Sequence, residues 1–132
     1  MGPDRLPSDW PLSEHSEFVQ CAGTLWHIQQ VGSGPVVLLL HGTGSSTHSM
    51  AGMVEYLSSQ FTCILIDLPG QGFTHPIEER EHLLSAMALA IRELCTHLQI
   101  SPKYVIGHSA GAAVGIRMCL DTDINPSGLL SI

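Results

Sequence analysis

Five residues constrain this chain more than any others: Gly107-His108-Ser109-Ala110-Gly111. They follow the apolar run Tyr104-Val105-Ile106 and lead into the small-residue stretch Ala112-Ala113-Val114-Gly115. A G-x-S-x-G run between a strand and a helix predicts an elbow, a hinge so sharp that its serine sits in a strained backbone conformation. Side chains two positions either side of that serine would collide, so Gly107 and Gly111 keep the space clear. The hinge presents Ser109 Oγ at the carboxyl end of a strand. It also aims the N–H of Ala110, in the first turn of the helix, at any negative charge that develops beside the serine.

Such an elbow needs a sheet to stand on, and the rest of the chain predicts one. Residues 1–15 are rich in Pro, Asp and Ser and read as a flexible N-terminal arm. Phe18–Cys21 is expected to be a short strand, Ala22-Gly23 a turn, and Leu25–Val31 an alternating second strand. Gly32-Ser33-Gly34-Pro35 breaks the chain. Val36–Leu40 is then a solid apolar run, the mark of a parallel strand buried on both faces. Thr47 or a neighbouring Ser can cap the next helix, whose Met50, Met53, Val54 and Leu57 recur at helical spacing. Phe61–Asp67 is the next buried strand. Residues 79–99 are the longest expected helix, with Leu83, Leu84, Met87, Ile91, Leu94, Cys95 and Leu98 on one face and Ser101-Pro102 as its stop. The elbow strand covers 103–107, the elbow helix about 110–121, and residues 128–132 begin a further apolar run. Alternating strands and helices predict an α/β, doubly wound, mainly parallel sheet with helices on both faces. No linker interrupts 16–132, so it reads as part of one domain.

Composition excludes several functions. The chain has 132 residues, 44% of them hydrophobic and only 13% charged, with a net charge of −7 and no cluster of its five Lys and Arg. Nucleic acid therefore finds no electrostatic footprint, and a basic membrane-surface helix is missing. No apolar run approaches the ~18 residues of a transmembrane helix. The N-terminus is polar and acidic, unlike a signal peptide, and Met1-Gly2 lacks the Ser or Thr that myristoylation wants at position 6, which is Leu6. The expectation is a soluble cytoplasmic protein. Cys21, Cys63, Cys95 and Cys119 are scattered among apolar segments and read as reduced core thiols. Neither cysteines nor histidines have metal-ligand spacing, so no metal and no cofactor is expected.

Reactive groups in a doubly wound sheet gather at the carboxyl ends of its strands. Three loops are expected there: 41–47, 67–73 and 107–111. An acyl-transfer site needs a nucleophile and two N–H donors for the oxyanion. Ser109 is the candidate nucleophile, Ala110 supplies one N–H, and Thr43 supplies the other, with Gly42 and Gly44 letting that backbone approach. One such donor is worth ~3 kcal/mol of transition-state stabilisation. Asp67 reads as a structural acid that accepts hydrogen bonds from turn amides, and His41 as a residue that shapes its own loop.

His41-Gly42-Thr43-Gly44, Asp67-Leu68-Pro69-Gly70-Gln71-Gly72 and Gly107-His108-Ser109-Ala110-Gly111, in that order, resemble the α/β-hydrolase superfamily from about residue 16 onward. Leu25-Trp26-His27, Gly32-Ser33-Gly34-Pro35, the run from His41 to Ser49, Gly72-Phe73-Thr74 and His108–Ala113 are similar to one branch, the magnesium-chelatase accessory proteins of bacteriochlorophyll synthesis. Met50 stands where that branch leads one to expect Trp. The resemblance implies a hydrolase acting on an ester-type or similar small apolar substrate, or an accessory factor with magnesium chelatase subunits or a tetrapyrrole as partners. Dehalogenases and epoxide hydrolases of the same fold place Asp, not Ser, at the elbow.

The superfamily order is Ser, then an acid, then His. Both partners are expected beyond Ile132, so the sequence reads as an amino-terminal portion. None of the eight histidines fits the role of general base: His108 is beside Ser109 in sequence but its side chain is expected to point elsewhere, His41 shapes its loop, and His48, His75, His82 and His97, on loops or helices, are expected to be solvated. These residues alone should have negligible esterase activity, and the unpaired edge near 128–132 should make them poorly soluble. Two other readings exist. One is a non-catalytic tetrapyrrole- or chelatase-binding protein on a hydrolase scaffold. The other is a dinucleotide-binding domain built on Gly42-Thr43-Gly44 and Asp67, disfavoured because residue 47 is Thr where the fingerprint needs Gly or Ala.

Overall fold

A computed structural model describes residues 6–78 and 82–132. Six strands form one sheet in the order β1-β2-β4-β3-β5-β6: β1 Ser16–Cys21, β2 Thr24–Gly32, β3 Val36–Leu40, β4 Thr62–Ile66, β5 Pro102–Gly107 and β6 Gly128–Ser131. β1 and β2 form an antiparallel hairpin, and β2 runs antiparallel to β4. The remaining pairs, β3 with β4, β3 with β5 and β5 with β6, are parallel. The hairpin turn places Ala22 and Gly23 at φ 53° and 76°, the doubly left-handed geometry that matches strand twist.

The solid apolar runs are explained by two cores, one on each face. Leu38, Leu40, Ile64, Ile66 and Val105 face α2 (Leu83–Leu98) and α3 (Ala110–Asp121), meeting Met87, Ala88, Ile91, Leu94, Val114 and Met118. The alternate residues Val37, Leu39, Cys63, Leu65 and Ile106 face the other way, toward Met50 and Val54 of α1 (Ala51–Leu57) and the turn before it. Each fully buried Leu or Ile contributes roughly 1.5–3 kcal/mol. Met50, the position where Trp was expected, is buried in this second core.

Helix ends and some surface positions differ from the sequence-based expectations. The segment after β3 enters α1 through a 3₁₀ turn, Thr47–Met50, and neither Thr47 nor a neighbouring Ser makes a side-chain cap. The Thr47 N–H is instead held by a carboxylate from the next strand. α2 begins at Leu83 within the described residues; positions 79–81 of the expected helix lie outside them. It stops at Gln99, in the left-handed region at φ 57°, while the Ile100 N–H returns to the Cys95 carbonyl. That closure satisfies the last turn before Ser101-Pro102 is reached. Leu83 and Leu84 are 42% and 43% exposed, because their neighbour is Arg117 of α3 across a shallow hollow and not the sheet. Cys119 is also exposed, not a core thiol. It follows the inward-facing Met118 by one residue, about 100° around the helix.

Residues 6–15 make specific contacts. Trp10 packs edge-on against Phe73 and His48, and the carbonyls of Pro11 and Leu12 accept from the Gln29 amide. Among the described residues no helix is long and apolar enough to cross a membrane.

β6 ends the sheet, and its Leu130 is 55% exposed. With Tyr104, Ile106 and Gly128 it borders an apolar hollow of about 270 Å³ on the sheet face. An apolar edge of this kind templates strand pairing between molecules. The 132-residue chain is therefore expected to self-associate at micromolar concentration, and Leu130→Lys to reduce that association. Static light scattering checks this; equal scattering from both proteins contradicts it.

Candidate active site

The parallel register sets Leu40, Ile66 and Gly107 side by side, so β3, β4 and β5 end at one rim. Three loops leave that rim, and side-chain and backbone bonds tie them together. At the end of β5, Ser109 is exposed at φ 55°, ψ −116°, immediately before α3. This is the strained conformation expected of an elbow serine, and a non-glycine residue holds it only where its surroundings enforce it.

The surroundings are visible at both glycines. A Cβ on Gly107 would lie 2.5 Å from the backbone of Ala112. A Cβ on Gly111 would overlap the Leu40 carbonyl and lie 2.5 Å from that of His41. The elbow is thus pressed against the end of β3, where the His108 N–H also bonds the Leu40 carbonyl at 3.0 Å. Gly42 faces His108: a Cβ there would lie 2.8 Å from His108 Nδ1. Gly44 differs, since its φ of +74° is what requires glycine.

The sequence-derived candidates converge on this rim. Ala110 is the first residue of α3, so its N–H has no intrahelical acceptor. Thr43 is exposed in the loop after β3, and its N–H has no acceptor among the described residues. The flanking amides are occupied: Ser45 N–H bonds the Gly42 carbonyl at 3.2 Å, and Gly44 N–H bonds Gln71 Oε1 at 2.8 Å.

His41 is fully buried and shapes its loop. Its Nδ1–H donates to the Gly42 carbonyl at 2.7 Å, and its Nε2 accepts the Leu68 N–H at 2.9 Å. Burial pushes its pKa below the ordinary value, against smaller opposing effects of the Gly42 carbonyl and the Asp67 charge. His48, His82, His97 and His108 are exposed, and His75 is half buried.

Asp67 is fully buried, and its carboxylate accepts three bonds. Oδ1 takes the Thr47 N–H at 2.7 Å; Oδ2 takes the Phe73 N–H at 2.9 Å and faces His27 Nδ1 at 2.7 Å. Gly72 closes directly over it, and a Cβ at that position would overlap the carboxylate. A ribose-binding acid must be open to its ligand, so this enclosure removes the basis of a dinucleotide site. His27 and its neighbours Ser16 and Gln29 were not among the candidates. The alternation of β2 predicts a strand but does not say what covers each of its faces. In fact Trp26, His27, Ile28 and Gln29 are all buried, the apolar pair on one face and the polar pair on the other.

Residues 35–132 match the model of the alpha/beta hydrolase fold family. The chain is 38% identical to the magnesium-chelatase 30 kDa subunit of Rhodobacter capsulatus, over 94% of its own length and 44% of the relative's. It is 35% identical to a fluoroacetate dehalogenase from a Burkholderia species, over 76% of this chain and 34% of that one. Among solved structures, the epoxide hydrolase VrEH1 of Vigna radiata superposes with a TM-score of 0.80 at 28% identity, covering 89% of this chain and 38% of that one. The chain spans less than half the length of each of these proteins.

The buried neutral imidazole of His41 has a consequence for stability. The unfolded chain binds a proton near pH 6.5, the ordinary histidine value, while the folded chain resists it. Unfolding therefore takes up a proton as pH falls, and stability present above that value is lost as pH drops through the lowered folded value. Urea denaturation at pH 7.5 and 5.5 should show a fall in unfolding free energy that is smaller in His41→Asn. An equal fall in both proteins contradicts this account of His41.

Proposed function

Because the chain belongs to the α/β-hydrolase fold family, we propose that it is the amino-terminal part of a cytoplasmic serine hydrolase whose nucleophile is Ser109. The observation that carries this reading is the backbone of Ser109, at φ 55° and ψ −116° between β5 and α3. Strain of that kind, fixed by glycines pressed against neighbouring backbone, is a device for lifting a side chain out of the rim toward a reactant. A dehalogenase or epoxide hydrolase of this fold would carry Asp there, so the serine favours acyl chemistry over those two activities.

In this reading Ser109 Oγ attacks the carbonyl carbon of an ester-type or similar small apolar substrate. The hydroxyl proton passes to a histidine contributed, with its acid, by later strands of the same fold. The carbonyl oxygen becomes an oxyanion between the Ala110 and Thr43 N–H groups, neither of which has an acceptor among the described residues. Gly42, Gly44, Gly107 and Gly111 let these backbones approach. The oxyanion collapses, the bond to the leaving oxygen breaks, and the departing alcohol takes the proton back from the histidine; water, giving a proton to the same histidine, then attacks the acyl-enzyme and frees the carboxylic acid and Ser109.

The 38% identity to a magnesium-chelatase subunit favours a second reading. In it, the same rim is a docking surface for a tetrapyrrole or for chelatase subunits, and Ser109 performs no chemistry.

A fluorophosphonate probe separates the two. The entire gene product should be labelled and should hydrolyse a p-nitrophenyl ester, with both signals abolished in Ser109→Ala. A folded protein that is neither labelled nor hydrolytic, yet changes the absorbance of protoporphyrin on titration, contradicts the hydrolase reading and favours the second.

A further inference from the structure

Beside loops 41–47 and 67–73 runs a chain of polar side chains that the proposed chemistry does not use. The Gln29 amide donates to Ser16 Oγ at 3.1 Å. Ser16 Oγ lies 2.8 Å from His27 Nε2, and His27 Nδ1 lies 2.7 Å from Asp67 Oδ2. The directions follow from the two ends. A carboxylate only accepts, so His27 carries its proton on Nδ1 toward Asp67. Nε2 is then an acceptor and takes the Ser16 hydroxyl, whose oxygen is left to accept from Gln29. The chain is ordered one way, from β2 and the start of β1 to the end of β4. The side chains of His27 and Asp67 are both fully enclosed.

This order reaches the loop that carries Thr43. Asp67 holds that loop at its far end through the Thr47 N–H. It also closes loop 67–73 through the Phe73 N–H, and Gln71 of that loop grips the Gly44 N–H beside Thr43. The orientation of one carboxylate therefore fixes both the anchor and the grip. The two backbone amides take one oxygen each, but both belong to the loops that the carboxylate itself holds. His27 supplies the third donor, to Oδ2, from a strand on the opposite side of β4 from β3, and so ties the carboxylate to the sheet.

We propose that His27 is a positioning residue, which locks the Asp67 carboxylate and through it aims the Thr43 N–H at the oxyanion beside Ser109. This rests on the reading of Ser109 as nucleophile, but the geometry of the loop can be measured without it. Misplacement of a donor by about 1 Å lowers rates by up to ~10²-fold.

The test uses two amide replacements in the entire gene product. In His27→Asn the side-chain N–H can occupy the place of Nδ1 and still donate to Asp67. In His27→Gln the amide reaches instead to the place of Nε2, and the donor to Asp67 is lost. Amide hydrogen exchange at Thr47 and Phe73 should accelerate at least tenfold in His27→Gln, with the central amides of Leu38–Leu40 unchanged, and should return to within about threefold of the parent in His27→Asn. Fluorophosphonate labelling should follow the same pattern. A purely structural histidine would instead speed all amides together or treat the two variants alike, and either result overturns the proposal, as does unaltered Thr47 exchange in His27→Gln. If the parent is not labelled, the Ser109 reading fails and the exchange data alone decide the positioning role. Should His27→Gln not fold, the tautomer of His27 in the parent, read by nitrogen NMR, takes its place: a proton on Nδ1 supports the proposal, and a proton on Nε2 alone overturns it.

Discussion

The rim of this protein depends on one steric constraint, the absence of room around the turn from β5 into α3. Gly111 lies against the carbonyls of Leu40 and His41, and Gly107 against the backbone of Ala112. No side chain fits at either position, so the chain can turn only there and only this tightly. The strained torsions of Ser109 are the result. Packing of this kind also explains why β3 and β5 must be adjacent in the sheet. The Leu40 carbonyl that Gly111 touches is the one that accepts the His108 N–H.

A second constraint, electrostatic rather than steric, organises the loops beside the elbow. A buried carboxylate is strongly disfavoured unless its lone pairs are met, and Asp67 meets them with His27 and the amides of Thr47 and Phe73. Those two amides belong to different loops, so satisfying one charge brings the loops together. Gly72 permits the closure because any side chain there would strike the carboxylate. The neutral His41 links the same loops once more, from the Gly42 carbonyl to the Leu68 amide. The two donors proposed for an oxyanion, Thr43 and Ala110, sit beside these bonds: Gln71 holds the Gly44 N–H next to Thr43, and the His108 N–H bonds the Leu40 carbonyl below Ala110. The proposed stabilisation depends on preorganisation of this kind.

Much of this was legible in the sequence because the signals were strong and local. The solid apolar runs of β3 and β4 fixed the centre of the sheet, and the glycine spacing around Ser109 fixed the elbow. Asp67 and His41 were recognisable as loop-shaping residues because each stands at a strand end beside glycines. What escaped was non-local. The enclosure of the polar face of β2 is one such feature, since alternation alone does not reveal that Pro11, Leu12 and the 67–74 segment cover it. Thr47 looked like a cap because a hydroxyl before a helix usually is one, whereas its N–H is taken by a residue twenty positions later. The exposure of Leu83, Leu84 and Cys119 likewise depends on what lies opposite them, which helical periodicity does not encode.

The hinge and its amides stand or fall together in a crystal structure of the entire gene product after reaction with a fluorophosphonate. The account predicts a phosphorus–oxygen bond at Ser109, a left-handed φ retained at that residue, and the phosphoryl oxygen within about 3 Å of the Thr43 and Ala110 nitrogens. A relaxed, helical Ser109, or a phosphoryl oxygen turned away from the Thr43 amide, would contradict it.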